Sequence, residues 1–277
     1  MLTRRRHPPA RLIRPRRSPL PSPEPNNRLR LLSFNIQGGI NSSGFHHYLT
    51  RSWQHLLPHP RKQDSLSRIA RVVRDFDMVA LQEVDGGSFR SSYVNQVRYL
   101  AEAAQFPYWY QQLNRNLGRV AQHSNGLLSR FHPEIIEDHR LPGLLPGRGA
   151  IIVRFGAKKP QLTLAMLHLS LGSRSRLRQL QYVREVIGDE GEVVVMGDLN
   201  VHHERITRLS ALEDIDLRSP EGHFPTFPSW QPAQSLDHIL VSSGIKVHQA
   251  RVLDFAISDH LPIAVEVELP APLINPS

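Results

Sequence analysis

Short apolar runs alternate with amphipathic stretches from residue 29 to residue 269. Compact apolar runs bounded by polar or turn-forming residues predict strands at 29–34, 78–82, 150–155, 162–168, 193–196, 238–241 and 261–268. Apolar residues three and four apart predict helices instead. Leu66, Ile69, Ala70 and Val73 mark one at 64–76 with Asp64 as its N-cap, and Val94, Val97, Ala101 and Ala104 mark a second at 91–105. A third, at 173–187, turns Leu177, Leu180, Val183 and Ile187 inward and Arg174, Arg176, Arg178 and Arg184 to solvent. Many strands with few long helices predict an α/β sandwich of two packed sheets rather than a simple doubly wound sheet.

Polar residues of a particular kind gather at the ends of these runs. LLSFN closes on Asn35, ALQEV carries Glu83, MLHLS carries His168, and VVVMGDLN closes on Asp198 and Asn200. SLDH holds Asp237 and His238, and ISDHLP holds Asp259 and His260. A carboxylate or amide at a strand end aims a hard oxygen into a crevice, the donor type that Mg²⁺ prefers while keeping several waters. Glu83 is the first such ligand candidate, with Asn35 beside it directly or through water. Gly197 permits a tight turn, so Asp198 and Asn200, two apart on extended backbone, face the same way. Asp198 is placed to take a proton from water while Asn200 orients that water or a phosphate. An Asx-type turn is the competing account of GDLN. Asp237 can hold His260 in one tautomer if their strands are neighbours, and a carboxylate-backed His stays cationic and meets developing phosphorane charge. His168 is placed to reach a phosphate oxygen from the opposite side. One strand-end His is usually structural, but two of them with three Asp in separate strings argue for a site.

Composition narrows the chemistry. The chain has no Cys, which excludes disulfides, thiolate metal sites and a catalytic thiol. No apolar run approaches the ~20 residues that span a bilayer. The Arg-rich start lacks the apolar segment of a secretory signal, so a cytoplasmic protein is expected. Residues 1–30 hold nine Arg against one Glu, so nearly all of the net charge of +9 lies there. Arg and Pro alternate in that stretch, a composition that cannot bury a core. Residues 1–28 are therefore expected to be a disordered basic tail, either contacting polyanions or simply solvated. The near-neutral remainder argues against a large basic groove for duplex nucleic acid. Between the first two strings, His46, His47, His55 and His59 match no tight zinc spacing. Trp53, Leu56 and Leu57 predict a short helix there, packed on the body or forming a rim of the site. His202 and His203 edge the pocket or cap a following helix.

The set LSFN, LQEV, HLS, GDLN, LDH and SDHLP, in that order over residues 29–269, resembles the endonuclease/exonuclease/phosphatase superfamily of metal-dependent phosphoesterases. The resemblance implies a DNase I-like, four-layered α/β sandwich: two packed mixed β-sheets flanked by helices, with the site at one edge. The catalytic domain would occupy residues 29–270, followed by a short tail at 271–277. It implies that Asn35 and Glu83 form the metal side, with Asp259 as a further metal-proximal carboxylate. His168 would contact phosphate, Asp198 and Asn200 would activate and orient the nucleophile, and Asp237 with His260 would form a carboxylate–histidine pair. Asn125, in HSNGLLSR, resembles a family segment that often reads GNALLSR and would line the phosphate site. Arg148, in GRGAI, is a candidate phosphate clamp or a surface residue. The implied reaction is in-line attack of water on a phosphodiester, assisted by Mg²⁺ with Mn²⁺ as a substitute, on nucleic acid first. A phosphomonoester or phospholipid diester is the alternative, a noncatalytic binding module comes last, and a monomer is expected. Gln37, Val84-Asp85 and His168 stand where the abasic-site endonuclease branch has an acid, Thr-Lys and Tyr. They set the chain nearer the deoxyribonuclease, sphingomyelinase and deadenylase branches.

Overall fold

The run at 193–196 is apolar at every position, so a strand built from it has no face to give to water. The computed structural model describes residues 11–13, 16–17, 26–37, 61–116, 122–143, 147–156, 161–189, 191–202 and 216–273. Its strands form two seven-stranded sheets. One holds β2 (Arg16–Arg17), β3 (Asn26–Asn35), β4 (Met78–Asp85), β5 (Tyr108–Asn116), β6 (Gln122–Ser129), β13 (Lys246–Val252) and β14 (Ile263–Leu273), in the order β13-β14-β3-β4-β6-β5-β2. The other holds β1 (Arg11–Ile13), β7 (Ile135–Arg140), β8 (Gly149–Phe155), β9 (Leu162–His168), β10 (Glu192–Asp198), β11 (Leu217–Arg218) and β12 (Asp237–Ser242), in the order β1-β7-β8-β9-β10-β12-β11. Both are mixed, because β3 runs parallel to β4 and β9 parallel to β10 while their other neighbours are antiparallel.

Alternation then sorts the side chains into layers. Leu31, Ala80, Ile151, Met166, Met196 and Ile239 fill the space between the sheets. Phe34, Val79 and Leu81 leave the first sheet on its other face, packing with Ile69 and Val73 of α1 (Arg61–Val73) and Val97 and Leu100 of α2 (Gln96–Ala103). Ile152, Leu167 and Val195 do the same on the second sheet against Leu180, Val183 and Ile187 of α3 (Ser173–Ile187). Each such side chain contributes about 1.5–3 kcal/mol of transfer free energy when fully buried. The result is the expected four-layered α/β sandwich.

Several boundaries depart from the sequence pattern. Asp64 sits within the first turn of α1 rather than at its N-cap, still beside the positive end of the helix. The second helix begins only at Gln96, with Asn95 capping Arg98 N at 3.0 Å, and Phe89–Ser91 is a separate 3₁₀ turn. α3 has its predicted bounds, but Leu177 is 40% exposed. Buried Gln179 takes the inner position, receiving Ser170 N at 2.9 Å and donating to Pro142 O at 3.0 Å. β5, β7 and β13 lack apolar runs, and β13 is an edge strand with mostly exposed side chains. Two pieces of the Arg-rich tail are edge strands rather than disordered chain: Arg11–Ile13 pairs with β7 and Arg16–Arg17 with β5. β3 begins at Asn26, three residues before the strand predicted at 29–34. The expected tail at 271–277 starts as strand, with Leu273 opposite Asn26. Ladder hydrogen bonds come from the backbone, so a polar or basic segment can make them without an apolar face. The histidines at 46–59, Trp53, Leu56, Leu57 and His203 lie outside the described residues.

Candidate active site

Ladder register assembles the centre of the site. Gly149 pairs with His168, His168 with Asp198, and Asp198 with Asp237, so one row crosses four adjacent strands at their site end. Asn35, the last residue of β3, reaches across from the other sheet and donates from Nδ2 to Asp198 Oδ2 at 3.2 Å. Gly197 makes this row possible. Its φ is +142°, and a Cβ there would stand 1.9 Å from Leu167 O on the neighbouring strand. The GDLN segment is an Asx turn as well as a strand end: Asn200 N donates to Asp198 Oδ1 at 3.1 Å. Asp198 Oδ2 is left facing Asn35 and His168 Nε2, the latter at 3.6 Å. The Asn200 side chain donates to Leu169 O at 2.9 Å and so braces the end of β9.

Glu83 owes its position to a β-bulge. The β4/β6 register passes from Leu81 opposite Gly126 to Val84 opposite Ser124, so Gln82 and Glu83 share the place of Asn125. Glu83 has φ +56°, uncommon for a side chain with a Cβ. Its Oε1 lies 3.9 Å from His168 Nε2, and its side chain keeps about a third of its surface open. Asp259 enters from the loop before β14, held by Gln37 Nε2 on Oδ2 at 3.1 Å. Ser258 ties the same loop to β3 by donating to Asn35 O at 2.6 Å.

β12 supplies the base of a second relay. Asp237 Oδ2 accepts from His260 Nδ1 at 2.7 Å and from Thr226 Oγ1 at 2.6 Å, all three being buried. Arg148 Nη1 hydrogen-bonds His168 Nε2. His238, by contrast, donates its Nε2 proton to Val201 O and Ser235 O and is structural. Asn125 is fully buried one step back from the row, donating from Nδ2 to Gln112 Oε1 at 3.1 Å.

Electrostatics follow from crowding acids in a dry crevice. Burial, then Asp237, raises the Asp198 carboxyl to about 7. Asp259 rises to about 6, chiefly by burial, with Glu83 adding to the effect. Burial opposes the charged form of His260, but the charge and hydrogen bond of Asp237, then Asp198 and Asp259, outweigh it and raise its pKa to about 10. His168 moves well below its ordinary value, through burial and then the charges of Arg148, His260 and His123. Its nearness to Asp198 and Glu83 therefore does not make it a charged ion-pair partner.

The donor set fits a hard divalent cation. Asp259 Oδ1 and Asp237 Oδ1 are buried without a hydrogen-bond partner, a costly state that a cation or its bound water relieves. Asp198, Asp237 and His260 bring ligand atoms within 4.8 Å of one another. His260, however, is cationic and its Nδ1 is committed to Asp237.

Two residues that the sequence alone did not assign support this centre, Thr226 under Asp237 and Ser258 under Asn35. Thr226 lies in the loop segment FPTFP, which carries no spacing signal. Ser258 was legible only as a neighbour of Asp259.

The fold and these strand-end acids define an α/β sandwich with a buried acidic crevice at one edge. Residues 32–260 match the model of the Endonuclease/Exonuclease/phosphatase family, and the chain belongs to that family. No curated protein matches it by sequence. Among solved structures it is similar to an endonuclease/exonuclease/phosphatase from Beutenbergia cavernae DSM 12333, with TM-score 0.68, 20% identity, and coverage of 88% of this chain and 72% of that one. It is also similar to a mannosyl-6-phosphatase from Bacteroides thetaiotaomicron VPI-5482, with TM-score 0.63, 20% identity, and coverage of 86% and 99%. A third is ANGEL2, a 2',3'-cyclic phosphatase, with TM-score 0.58, 15% identity, and coverage of 87% and 95%.

Proposed function

We propose that this protein is a Mg²⁺-dependent phosphodiester hydrolase, with Mn²⁺ as a substitute, acting on nucleic acid by in-line attack of an activated water. The observation that carries the proposal is the pairing of a carboxyl raised to about 7 at Asp198, in the buried row, with a cationic His260 that the loop before β14 brings against Asp237 of the same row. A carboxyl near neutrality is matched to taking a proton from water, and a fixed cation to the charge that grows on the phosphorane.

Asn35, Glu83 and Asp259 would hold the cation, which when bound supplies positive charge to the phosphoryl oxygens. Asp198 receives the proton as water oxygen bonds phosphorus and the bond to the leaving oxygen breaks. Asn35, through its bond to Asp198 Oδ2, fixes the direction of that carboxylate. His260 donates toward the phosphoryl group from its free Nε2, its other nitrogen being committed to Asp237. Arg148, in contact with His168, offers the remaining guanidinium donors to a phosphate oxygen. Asn200 braces the turn under Asp198 and so sets where the water sits.

The test is hydrolysis of a simple phosphodiester and its matching monoester by purified protein with Mg²⁺, Mn²⁺ or chelator, alongside Asp198→Ala. Metal-dependent diester cleavage that disappears in the variant supports the proposal. Likeness to a mannosyl-6-phosphatase sustains a second reading, monoester hydrolysis. Faster turnover of the monoester would replace the first reading with it.

A further inference from the structure

On the first sheet's side of the site, the chain leaves Glu83 and within six residues reaches an exposed aromatic pair. Phe89 is 43% and Tyr93 63% exposed, with ring centroids 6.3 Å apart in an edge-to-face arrangement. Neither ring belongs to the hydrophobic clusters of the core. Exposure of two large aromatics six and ten residues beyond Glu83 runs against burial preference.

The loop that presents them is built to be rigid. Asp85, fully buried, accepts Gly87 N, Ser88 N and Ser91 Oγ on Oδ1 at 2.9, 2.8 and 2.8 Å, and Ser88 Oγ on Oδ2 at 2.8 Å. Its own N–H is received by Gln96 Oε1 at 2.7 Å, which fastens the start of α2 to the same point. Ser92 and Tyr93 both have positive φ, +55° and +62°, an outlying conformation for an aromatic side chain. Buried serines face in and aromatics face out, so the turn holds the rings on the surface at a backbone cost. Position links the pair to the site. Asp85 and Gly86, two and three residues beyond Glu83, are fixed to β6 beside the site, Asp85 lying opposite His123 and Gly86 N donating to Gln122 O at 3.0 Å. Leu113, 42% exposed, stands two ladder partners from Val84 through Ser124 and extends the apolar surface at this end.

We infer that Phe89 and Tyr93 form a stacking platform for a nucleobase of the substrate, a few nucleotides or fewer from the scissile phosphate. This deepens the diesterase reading and rests on it. A planar base can stack on the exposed face of one ring while the other, turned by 71°, borders its edge, and stacking asks for no base-specific hydrogen bonds. A lipid chain would instead need a continuous, deformable apolar patch.

The experiment compares kcat/KM for a single-stranded deoxyoligonucleotide and for an abasic oligomer of the same length with the same sugar-phosphate backbone. Wild-type protein is expected to prefer the base-bearing strand. Phe89→Ala/Tyr93→Asn should lose that preference by about 5- to 150-fold, the range that stacking one base supplies, with abasic cleavage unchanged. Asn is chosen because it tolerates the positive φ. Phe89→Leu/Tyr93→Leu keeps apolar surface without a π face, and it should lose the preference too. Binding of a 2-aminopurine oligomer to Asp198→Asn should quench the base, and adding Phe89→Ala/Tyr93→Asn should abolish the quench while thermal unfolding stays the same. Equal wild-type rates on both oligomers, or a preference retained by the Leu pair, would overturn the platform while leaving the hydrolase reading intact. A gain in rate on a short-chain phospholipid diester that depends on Phe89 and Tyr93 would overturn it in favour of a lipid. If wild-type protein cleaves neither oligomer nor a simple diester, the hydrolase reading fails first and the platform with it.

Discussion

Three groups in the site have pKa values above their ordinary ones, and all three make the metal-free protein less stable as pH rises. Asp198 moves from 3.8 to about 7 and Asp259 from 3.8 to about 6. Below pH 3.8 both are protonated in the folded and the unfolded chain. Above it the unfolded chain releases the protons that the folded site retains, so stability falls with pH until each folded pKa is passed. At about 1.4 kcal/mol for each pH unit by which a pKa moves, the ceilings are roughly 4 and 3 kcal/mol. The two groups share neighbours and do not add, so a loss of roughly 3–5 kcal/mol between pH 4 and 7 is expected. For a chain of this size, that is a Tm decrease on the order of 10 °C. His260, raised from 6.5 to about 10, continues the decline, because its stabilising charge is complete below 6.5 and lost as pH passes 10. Asp198→Asn isolates the largest share. The substituted amide keeps an Oδ1 to accept from Asn200 N and gives up the bond that Asp198 Oδ2 accepts from Asn35. The assay is thermal unfolding from pH 4 to 8 of wild type and variant, with chelator and with excess Mg²⁺. With chelator the variant should become the more stable of the two as pH rises to 8, although it has lost turnover. Mg²⁺ should raise wild-type Tm more at pH 8 than at pH 5, since the proposed site would hold it through ionised acids. A wild-type minus variant difference that stays flat from pH 4 to 8, or equal Mg²⁺ shifts at both pH values, would refute the reasoning.

Other consequences are as direct. Asp237→Asn removes the largest force raising His260, so the alkaline limb of the kcat/KM profile should move to lower pH, with kcat down by roughly 10²-fold or more; an unmoved limb assigns it to another group. Thr226→Val leaves Asp237 with one donor fewer, and loss of a hydrogen bond to a charged group costs about 1.5–3 kcal/mol, visible in urea unfolding and in a partial version of the Asp237→Asn shift. Gly197→Ala must push β10 off Leu167 O, so it should lower Tm sharply and uncouple Asp198 from Asn35; normal activity would show that the close approach is dispensable. Gln112→Leu strands the acceptors that Gln112 Nε2 now satisfies on Asp138, His139 and Ala150 across the two sheets, with an expected stability loss of about 1–3 kcal/mol.

The sequence by itself determined the layers and most of the chemistry. A strand covered on both faces must be apolar throughout, and a helix on a sheet must carry a stripe, so β9, β10, β12 and α3 were legible from local pattern. The same residues end the strands, which put Asn35, His168, Asp198 and Asp237 at one edge before any contact was known. Local pattern has no hold on features that arise between distant segments. β5, β7 and β13 form because neighbouring strands offer backbone partners, whatever the polarity of their side chains. Glu83 turns toward His168 because a bulge opposite Asn125 takes up one extra residue. Arg148 meets His168, and Thr226 meets Asp237, across 20 and 11 residues of chain. Ladder register and loop return set these contacts, and both are fixed by the packing of whole sheets, so the charge states of His168 and Asp198 were decided by the tertiary structure, while the Asp237–His260 pairing behind the charge on His260 was already suggested by the strings that carry them.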